Sequence, residues 1–468
     1  MKRWSVLAVA AAMTVAGAAC AQTSLRPDQQ AFRALYKELV ETNTTLSAGS
    51  CTEAAAKAGA HLKGAGFPEA DLHHFADPAH PKEGGLVAVL PGRDPKAKPI
   101  LLMAHLDVVE ARREDWERDP FTPVVEDGFF YARGAADDKA DVAIYTDSLA
   151  RLKREGVRLK RTVKLALTCG EESVQAFNGM QWLVENRRDL IDAEFAINEG
   201  GGGVISPDGR RLFIEVQVGE KATQNYRLEA RNPGGHSSRP VPDNAIYQLA
   251  QALLKVQAYR FPVRFNEISR ANFTALAAAP TTDPAIAQAL KRLLADPNDA
   301  EADRIASADP DINRLLRTTC VATLLEAGHA SNALPQRAAG NINCRILPGE
   351  TLEGTKAALE QAIGDPGISV TLAPPVRPLA KVAPLDPRIL GTAQRLIDKR
   401  FGGGLKLQPG YTDALWLGQA NIPVYGLSGI FFDTDGNGSH GVNERLRATS
   451  LYEGRDFQHE LIQALGNL

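Results

Sequence analysis

Apolar positions recur along this chain in two periods, and the change from one to the other marks out its elements. Phe32, Leu35, Leu39 and Val40 fall three and four residues apart, so an amphipathic helix opens the globular part. Short continuous apolar runs follow at 85–90, 100–104, 163–168 and 195–198, the pattern of strands. Helices are expected between them, over 141–155 and 176–186. Strand alternating with helix predicts an α/β domain around a mainly parallel sheet.

From 219 to 373 the order changes. Strands are expected at 226–230, 321–325, 340–345 and 369–372, with helices over 243–254 and 352–363. Strand, helix, strand, strand, helix, strand is the order of an inserted α+β domain of the split βαβ, ferredoxin-like kind. The polar stretch 261–317, punctuated by Asp-Pro at Asp283, Asp296 and Asp309, reads as a helical excursion whose charges solvate a surface. After Pro374-Pro375 the chain returns to the first domain, which is expected to comprise 22–218 and 374–468.

A chain of 468 residues exceeds one ordinary core, in keeping with two domains. With 53 Lys plus Arg against 56 Asp plus Glu and no long run of one sign, neither nucleic acid nor a membrane surface is an expected partner. Lys2 and Arg3, the apolar stretch 6–19 and the small residues before Gln22 read as a secretory signal over 1–21, placing the mature protein in the periplasm or outside the cell. Lipid attachment at Cys20 is an alternative, against which stands Gly17-Ala18-Ala19, since a larger aliphatic residue is usual three positions before the cysteine. Among the remaining cysteines, a Cys320–Cys344 pair and two buried free thiols fit the sequence equally. Without a Cys-x-x-Cys, they are not a metal site.

The chemistry lies in His105, Asp107, Asp137, Glu171, Glu172, Glu199 and His440, the imidazoles and carboxylates that hold two divalent metals and activate a water between them. His105 and Asp107 follow a strand two residues apart, so their side chains are expected to face one way, with the Asp107 carboxylate on the far nitrogen of His105. Singly, Asp137-Asp138 reads as an acidic helix start, Glu171-Glu172 as an exposed pair and His440 as a solvated loop residue.

His105-Leu106-Asp107, Arg133-Gly134-Ala135-Ala136-Asp137-Asp138-Lys139, Glu171-Glu172, Asn198-Glu199-Gly200-Gly201 and Ser439-His440-Gly441 come in this order. Together they resemble the dinuclear zinc metallopeptidase family of carboxypeptidase G, acetylornithine deacetylase, succinyl-diaminopimelate desuccinylase and aminoacylase, from about Phe32 onward. The resemblance implies two Zn²⁺ per chain, with Co²⁺ or Mn²⁺ as substitutes. It makes Asp137 the bridging ligand, pairs His105 with Glu199 on one metal and Glu172 with His440 on the other, and leaves Glu171 to move protons. It also implies that the inserted domain is a lid or dimerisation unit.

Within that unit, Pro233-Gly234-Gly235-His236-Ser237 resembles the segment whose His reaches the scissile carbonyl, in dimeric relatives from the opposite subunit. Asn332 and Arg345 match residues that hold a substrate carboxylate. Gly410 and Thr412 match a pocket-lining loop, in which Tyr411 replaces a small residue and narrows the pocket. The expected enzyme hydrolyses an amide of small peptides, carboxypeptidase- or dipeptidase-like, by a hydroxide bridging the two metals. An N-acyl amino acid deacylase is the alternative, and a non-catalytic exported binding protein the remote one, against which the retention of Glu171 argues.

Overall fold

The computed structural model describes residues 25–468 apart from 174–176, 280–281, 380, 403 and 411. The expected leader, Cys20 and Tyr411 therefore lie outside the described residues. Among those described, the main sheet has ten strands. Their spatial order is Leu72–Phe75, Gly85–Leu90, Val163–Thr168, Ile100–His105, Phe195–Asn198, Val424–Gly426, Arg211–Glu220, Gly202–Ile205 and Phe431–Asp433, with Gly404–Gly410 also on Arg211–Glu220. Five of the nine pairings are parallel, including every one among the central four strands Val163–Thr168, Ile100–His105, Phe195–Asn198 and Val424–Gly426.

The continuous apolar runs have a simple cause. Strand side chains alternate between faces, and both faces of Ile100–His105 are covered. Leu102 and Ala104 join the core beneath the helices Pro27–Glu41, Lys139–Arg154 and Ala448–Gly466, whereas Leu101 and Met103 join the core beneath Gly179–Asn186 and Ala414–Gln419. Each fully buried Leu or Ile there contributes roughly 1.5–3 kcal/mol.

The inserted unit has the expected order. Its antiparallel sheet runs Thr319–Ala327, Arg337–Ile346, Ala222–Arg231, Ile368–Ala373, and its core is closed by the helices Ala245–Ala258 and Leu352–Ile363. Cys320 and Cys344 are disulfide-bonded, tying the edge strand to its neighbour. A second disulfide, unforeseen from the sequence, joins Cys51 to Cys169 across 118 residues.

The excursion forms the helices Glu267–Ala278, Pro284–Ala295, Ala300–Ala306 and Pro310–Leu316 around a core of its own that includes Phe273, Leu290, Leu293 and Leu316. Asp283 and Asp309 cap two of them, each followed by proline in the first turn, where the missing N–H costs nothing. The charged residues do more than solvate a surface. The buried Arg317 guanidinium donates to the Phe261 carbonyl at 2.7 Å and pairs with Asp303. Ile268 joins the core of the main sheet, so the excursion also braces the junction between the two units.

Candidate active site

Three adjacent parallel strands end at one edge of the sheet, where open α/β sheets place their ligands. His105 is the last residue of Ile100–His105, Glu171 and Glu172 follow Val163–Thr168, and Glu199 follows Phe195–Asn198. Asp137 precedes the helix Lys139–Arg154, and His440 comes from the loop between Phe431–Asp433 and Arg445–Arg447. His440 is held at φ 61°, a left-handed conformation that β-carbon residues adopt rarely.

The two oxygens of Asp137 face different imidazoles. Oδ1 lies 3.1 Å from His105 Nε2 and Oδ2 lies 3.3 Å from His440 Nε2. Glu199 Oε1 is 3.7 Å from the same His105 nitrogen, and Glu172 Oε1 is 2.9 Å from the His440 nitrogen. Donor atoms of His105, Asp137 and Glu199 thus lie within 4.8 Å of one another, as do those of Asp137, Glu172 and His440; His105, Glu171 and Glu172 meet the same limit.

So many carboxylates in one place oppose each other. Burial and the charge of Glu199 raise the Glu171 carboxyl well above its usual range, and burial also raises Glu199. Against the effect of burial, hydrogen bonds with His105 and His440 hold Asp137 below its usual range. Asp137 and Glu172 push the His440 imidazole up to about 10. This excess of negative charge, on two triads sharing one carboxylate, fits a pair of divalent cations.

Asp107 departs from expectation. His105 Nδ1 lies 2.9 Å from the backbone carbonyl of Asp107, whereas the carboxylate is 3.7 Å away. The strand ends at His105, and beyond it the turning backbone puts the carbonyl of Asp107, and not its carboxylate, at hydrogen-bond distance. The Asp107 carboxylate instead accepts the backbone N–H of Glu172 at 3.0 Å and of Glu171 at 3.4 Å, positioning that loop. The Cys51–Cys169 disulfide anchors the loop from the other side. Gly170 between them has φ 97°, and a Cβ there would meet the Phe177 carbonyl at 1.9 Å.

Glu444 and Arg133 are further parts of the site that residue-type reasoning did not single out. The fully buried Glu444 carboxylate accepts from the backbone N–H groups of Gly134, Ala136 and Asp137 at 2.8–3.0 Å and from Arg133 Nη1 at 2.7 Å. Arg133 Nη2 donates to the Gly441 carbonyl at 2.7 Å. The Asp137 turn and the His440 loop are therefore one hydrogen-bonded assembly.

Opposite the carboxylates, a cavity of about 430 Å³ is closed by Thr223, Asn225 and Arg345 of the inserted sheet and by Pro375 and Arg377 of the returning chain. Arg345 Nη1 donates to Thr223 Oγ1 at 2.6 Å. The other substrate groups expected here are not brought together. His236 is exposed on the strand Gly235–His236, with Nδ1 2.8 Å from Ser238 Oγ. Asn332 lies exposed in a turn, its carbonyl accepting from Ser237 N–H. Thr412 is buried, accepting from Asn198 Nδ2 at 2.9 Å and donating to Glu220 Oε1 at 2.5 Å, so it supports the strand that precedes Glu199. Gly410 pairs in the sheet with Glu220. His236, Asn332 and Thr412 are not among the residues that line the cavity.

Comparison with known proteins agrees with this geometry. Residues 101–464 match the profile of peptidase family M20/M25/M40. The human N-fatty-acyl-amino acid synthase/hydrolase PM20D1 is 28% identical over 436 residues, covering 91% of this chain and 85% of that protein. A probable carboxypeptidase S-like 2 from Dictyostelium discoideum is 26% identical over 384 residues, covering 80% and 72%. The crystal structure of an M20 family metallo-carboxypeptidase, Sso-CP2 from Sulfolobus solfataricus, superposes with a TM-score of 0.68 at 19% identity, covering 94% of this chain and all of that one. The chain therefore belongs to the peptidase M20/M25/M40 family, a family of dinuclear metal sites, and is a metallohydrolase acting on amide bonds.

Proposed function

We propose that the protein is an exported zinc enzyme that hydrolyses the amide bond next to a free carboxylate, as in a short peptide cut at its C-terminal end. The observation that carries this reading is Arg345. Its guanidinium is partly buried, faces the carboxylate cluster across the cavity, and among the described residues is held by a hydroxyl and by no carboxylate. A planar fork left so is suited to the carboxylate of a substrate. The same site serves an N-acyl amino acid, a reading favoured by the similarity to human PM20D1.

His105, Asp137 and Glu199 would hold one zinc ion and Asp137, Glu172 and His440 a second, and the pair would supply Lewis acidity toward a scissile carbonyl and toward a water. Glu171 takes a proton from the attacking water and delivers it to the amide nitrogen as the C–N bond breaks, releasing a carboxylic acid and an amine. His236 donates to the oxyanion of the addition step. Since His236 lies outside the cavity of its own chain, we assign it to the site of a second copy. The edge strand Thr319–Ala327 supports that pairing, with Val321, Leu324 and Leu325 each more than 60% exposed. Export is supported by the leader-like opening and by two disulfides. Among the described residues, no helix is long and apolar enough to cross a membrane.

Turnover of a panel of dipeptides and N-acyl amino acids, with and without zinc after chelation, tests this reading. Hydrolysis that requires the metal and a free substrate carboxylate is expected. Indifference to blocking that carboxylate as an amide removes Arg345 from its role.

A further inference from the structure

The two chain crossings that join the domains border a second cavity, which the proposed mechanism does not use. One crossing is the end of the strand Arg211–Glu220, which passes through Lys221 into Ala222–Arg231. The other is the returning segment 381–383, whose Ala383 N–H donates to the Val218 carbonyl at 2.8 Å. Between them and the helix Ala414–Gln419 lies a space of about 160 Å³, the room of about five waters at ~30 Å³ each. It shares no lining residue with the catalytic cavity.

Glu220 is the buried end of this space, with only 3% of its surface exposed. Its two oxygens are unequally served. Oε1 accepts from Gln217 Nε2 at 3.0 Å and from Thr412 Oγ1 at 2.5 Å, whereas Oε2 is buried and, among the described residues, has no hydrogen-bond partner. Leaving a buried acceptor so costs about 1–3 kcal/mol, a cost that an N–H of a ligand removes. Burial raises the Glu220 carboxyl to about 8; an ammonium against Oε2 favours the carboxylate, whose proton passes to solvent. Lys381 is the exposed end, its Nζ donating to Asn421 Oδ1 at 2.7 Å. Val382, Ala414, Ile422 and Val424 make the apolar part of the wall.

A bare cation answers Glu220 and is repelled by Lys381, and a simple anion meets the reverse. A zwitterion answers both ends, and the space between them admits a side chain of a few carbons. We propose that this hinge cavity is a second binding site, for a free amino acid with a small apolar side chain, its α-ammonium on Glu220 Oε2 and its α-carboxylate toward Lys381. Because Glu220 stands on one crossing and Lys381 on the other, the bound amino acid ties the two together.

The probe is L-alanine, with lactate, which carries a hydroxyl in place of the ammonium, as its comparator. Both are titrated calorimetrically into the zinc-loaded wild type, Glu220→Gln, Lys381→Met and Arg345→Met, a measurement that does not depend on turnover. L-Alanine is expected to bind the wild type at least about tenfold more tightly than lactate and to lose about tenfold or more in Glu220→Gln, from the usual strength of hydrogen bonds to buried charged groups. Lys381→Met is expected to cost about two- to fivefold, as for an exposed charge pair. Affinity is expected to persist in Arg345→Met, which alters only the catalytic cavity. Absence of saturable binding to the wild type overturns the proposal, as does unchanged affinity in folded Glu220→Gln. Loss of binding in Arg345→Met also overturns it, because the amino acid then sits in the catalytic cavity. If melting shows that Glu220→Gln misfolds, Lys381→Met decides: weaker binding supports the site, and equal binding refutes it.

Discussion

The six imidazoles and carboxylates of the main domain meet within one chain, whereas the three groups expected from the inserted domain do not. On the main domain, His105, Glu171, Glu172 and Glu199 stand at the ends of adjacent strands, and Glu444 and Asp107 fix the intervening loops through backbone N–H groups. On the inserted domain, Arg345 reaches the cavity while His236 and Asn332 remain exposed outside it. The difference separates two kinds of task. Groups that hold cations must be in place before the substrate arrives, because like charges have to be brought together against their repulsion. Groups that act on the substrate can ride on a separate body and arrive by closure or from a second copy.

The sharpest way to break that division is to remove the one main-domain carboxylate assigned to protons. Glu171→Gln is expected to lower kcat by about 10²–10⁴-fold while zinc content stays unchanged. Metal analysis beside the kinetics separates the roles: loss of zinc in this variant means that Glu171 is a ligand. His236→Ala is expected to cost about 10²–10³-fold, the usual cost of one oxyanion donor. Mixing the two inactive variants under conditions that exchange subunits then tests supply between chains, since a mixed dimer contains one site with both residues intact. Recovery of about a quarter of the wild-type rate is expected after full exchange; proven exchange without recovery shows that each chain closes on itself.

Glu444→Gln acts on the cradle instead of the ligands. With one oxygen replaced by a donor, the carboxamide confronts the N–H groups of Gly134, Ala136 and Asp137, and the Asp137 turn loosens against the His440 loop. Zinc affinity is expected to fall about 10–100-fold, the usual effect of disturbing the groups behind a metal ligand. Competition with a chelating dye measures it. An unchanged affinity would falsify the coupling of the two loops.

How much of this could be read from the chain follows the same division. The clustered residues were legible because metal chemistry restricts them to imidazole and carboxylate, and strand ends are where an α/β sheet puts them. The order of the inserted unit was legible from two periodicities and its turns. The partner of His105 Nδ1 was only partly legible, because alternation holds only within a strand and the strand stops at His105: the backbone carbonyl of Asp107, at 2.9 Å, takes the place expected of its carboxylate, which lies at 3.7 Å on the same side. Thr412 was misread because a hydroxyl beside a site serves packing as readily as substrate. The Cys51–Cys169 disulfide joins residues 118 apart, a pairing that needs the fold before it can be seen. The Asp-Pro pairs of 261–317 were visible as punctuation, but their helices' packing against the junction depends on contacts far away in sequence.

That junction offers the smallest and most local test. Lys221 is the single residue between the strand Arg211–Glu220 of one domain and Ala222–Arg231 of the other, and its ammonium donates to the carbonyls of Arg314 at 2.8 Å and Arg317 at 2.9 Å. Burial pushes it down to about 7, whereas a lysine in the unfolded chain titrates near 10.4. Between those values the unfolded chain keeps a proton that the folded chain has released, so stability rises with pH through that window. Below pH 7 both states hold the proton and the cost of burying it is constant. The slope is expected to be about 1.4 kcal/mol per pH unit for a single proton. Lys221→Met has no such proton, so thermal melts of the two proteins should converge or cross as the pH is raised from 7 to 9, with the wild type gaining relative to the variant. A constant difference across that range means that the bonding of the ammonium to the two carbonyls outweighs its burial, and that the excursion clamps the junction with a full charge at every physiological pH.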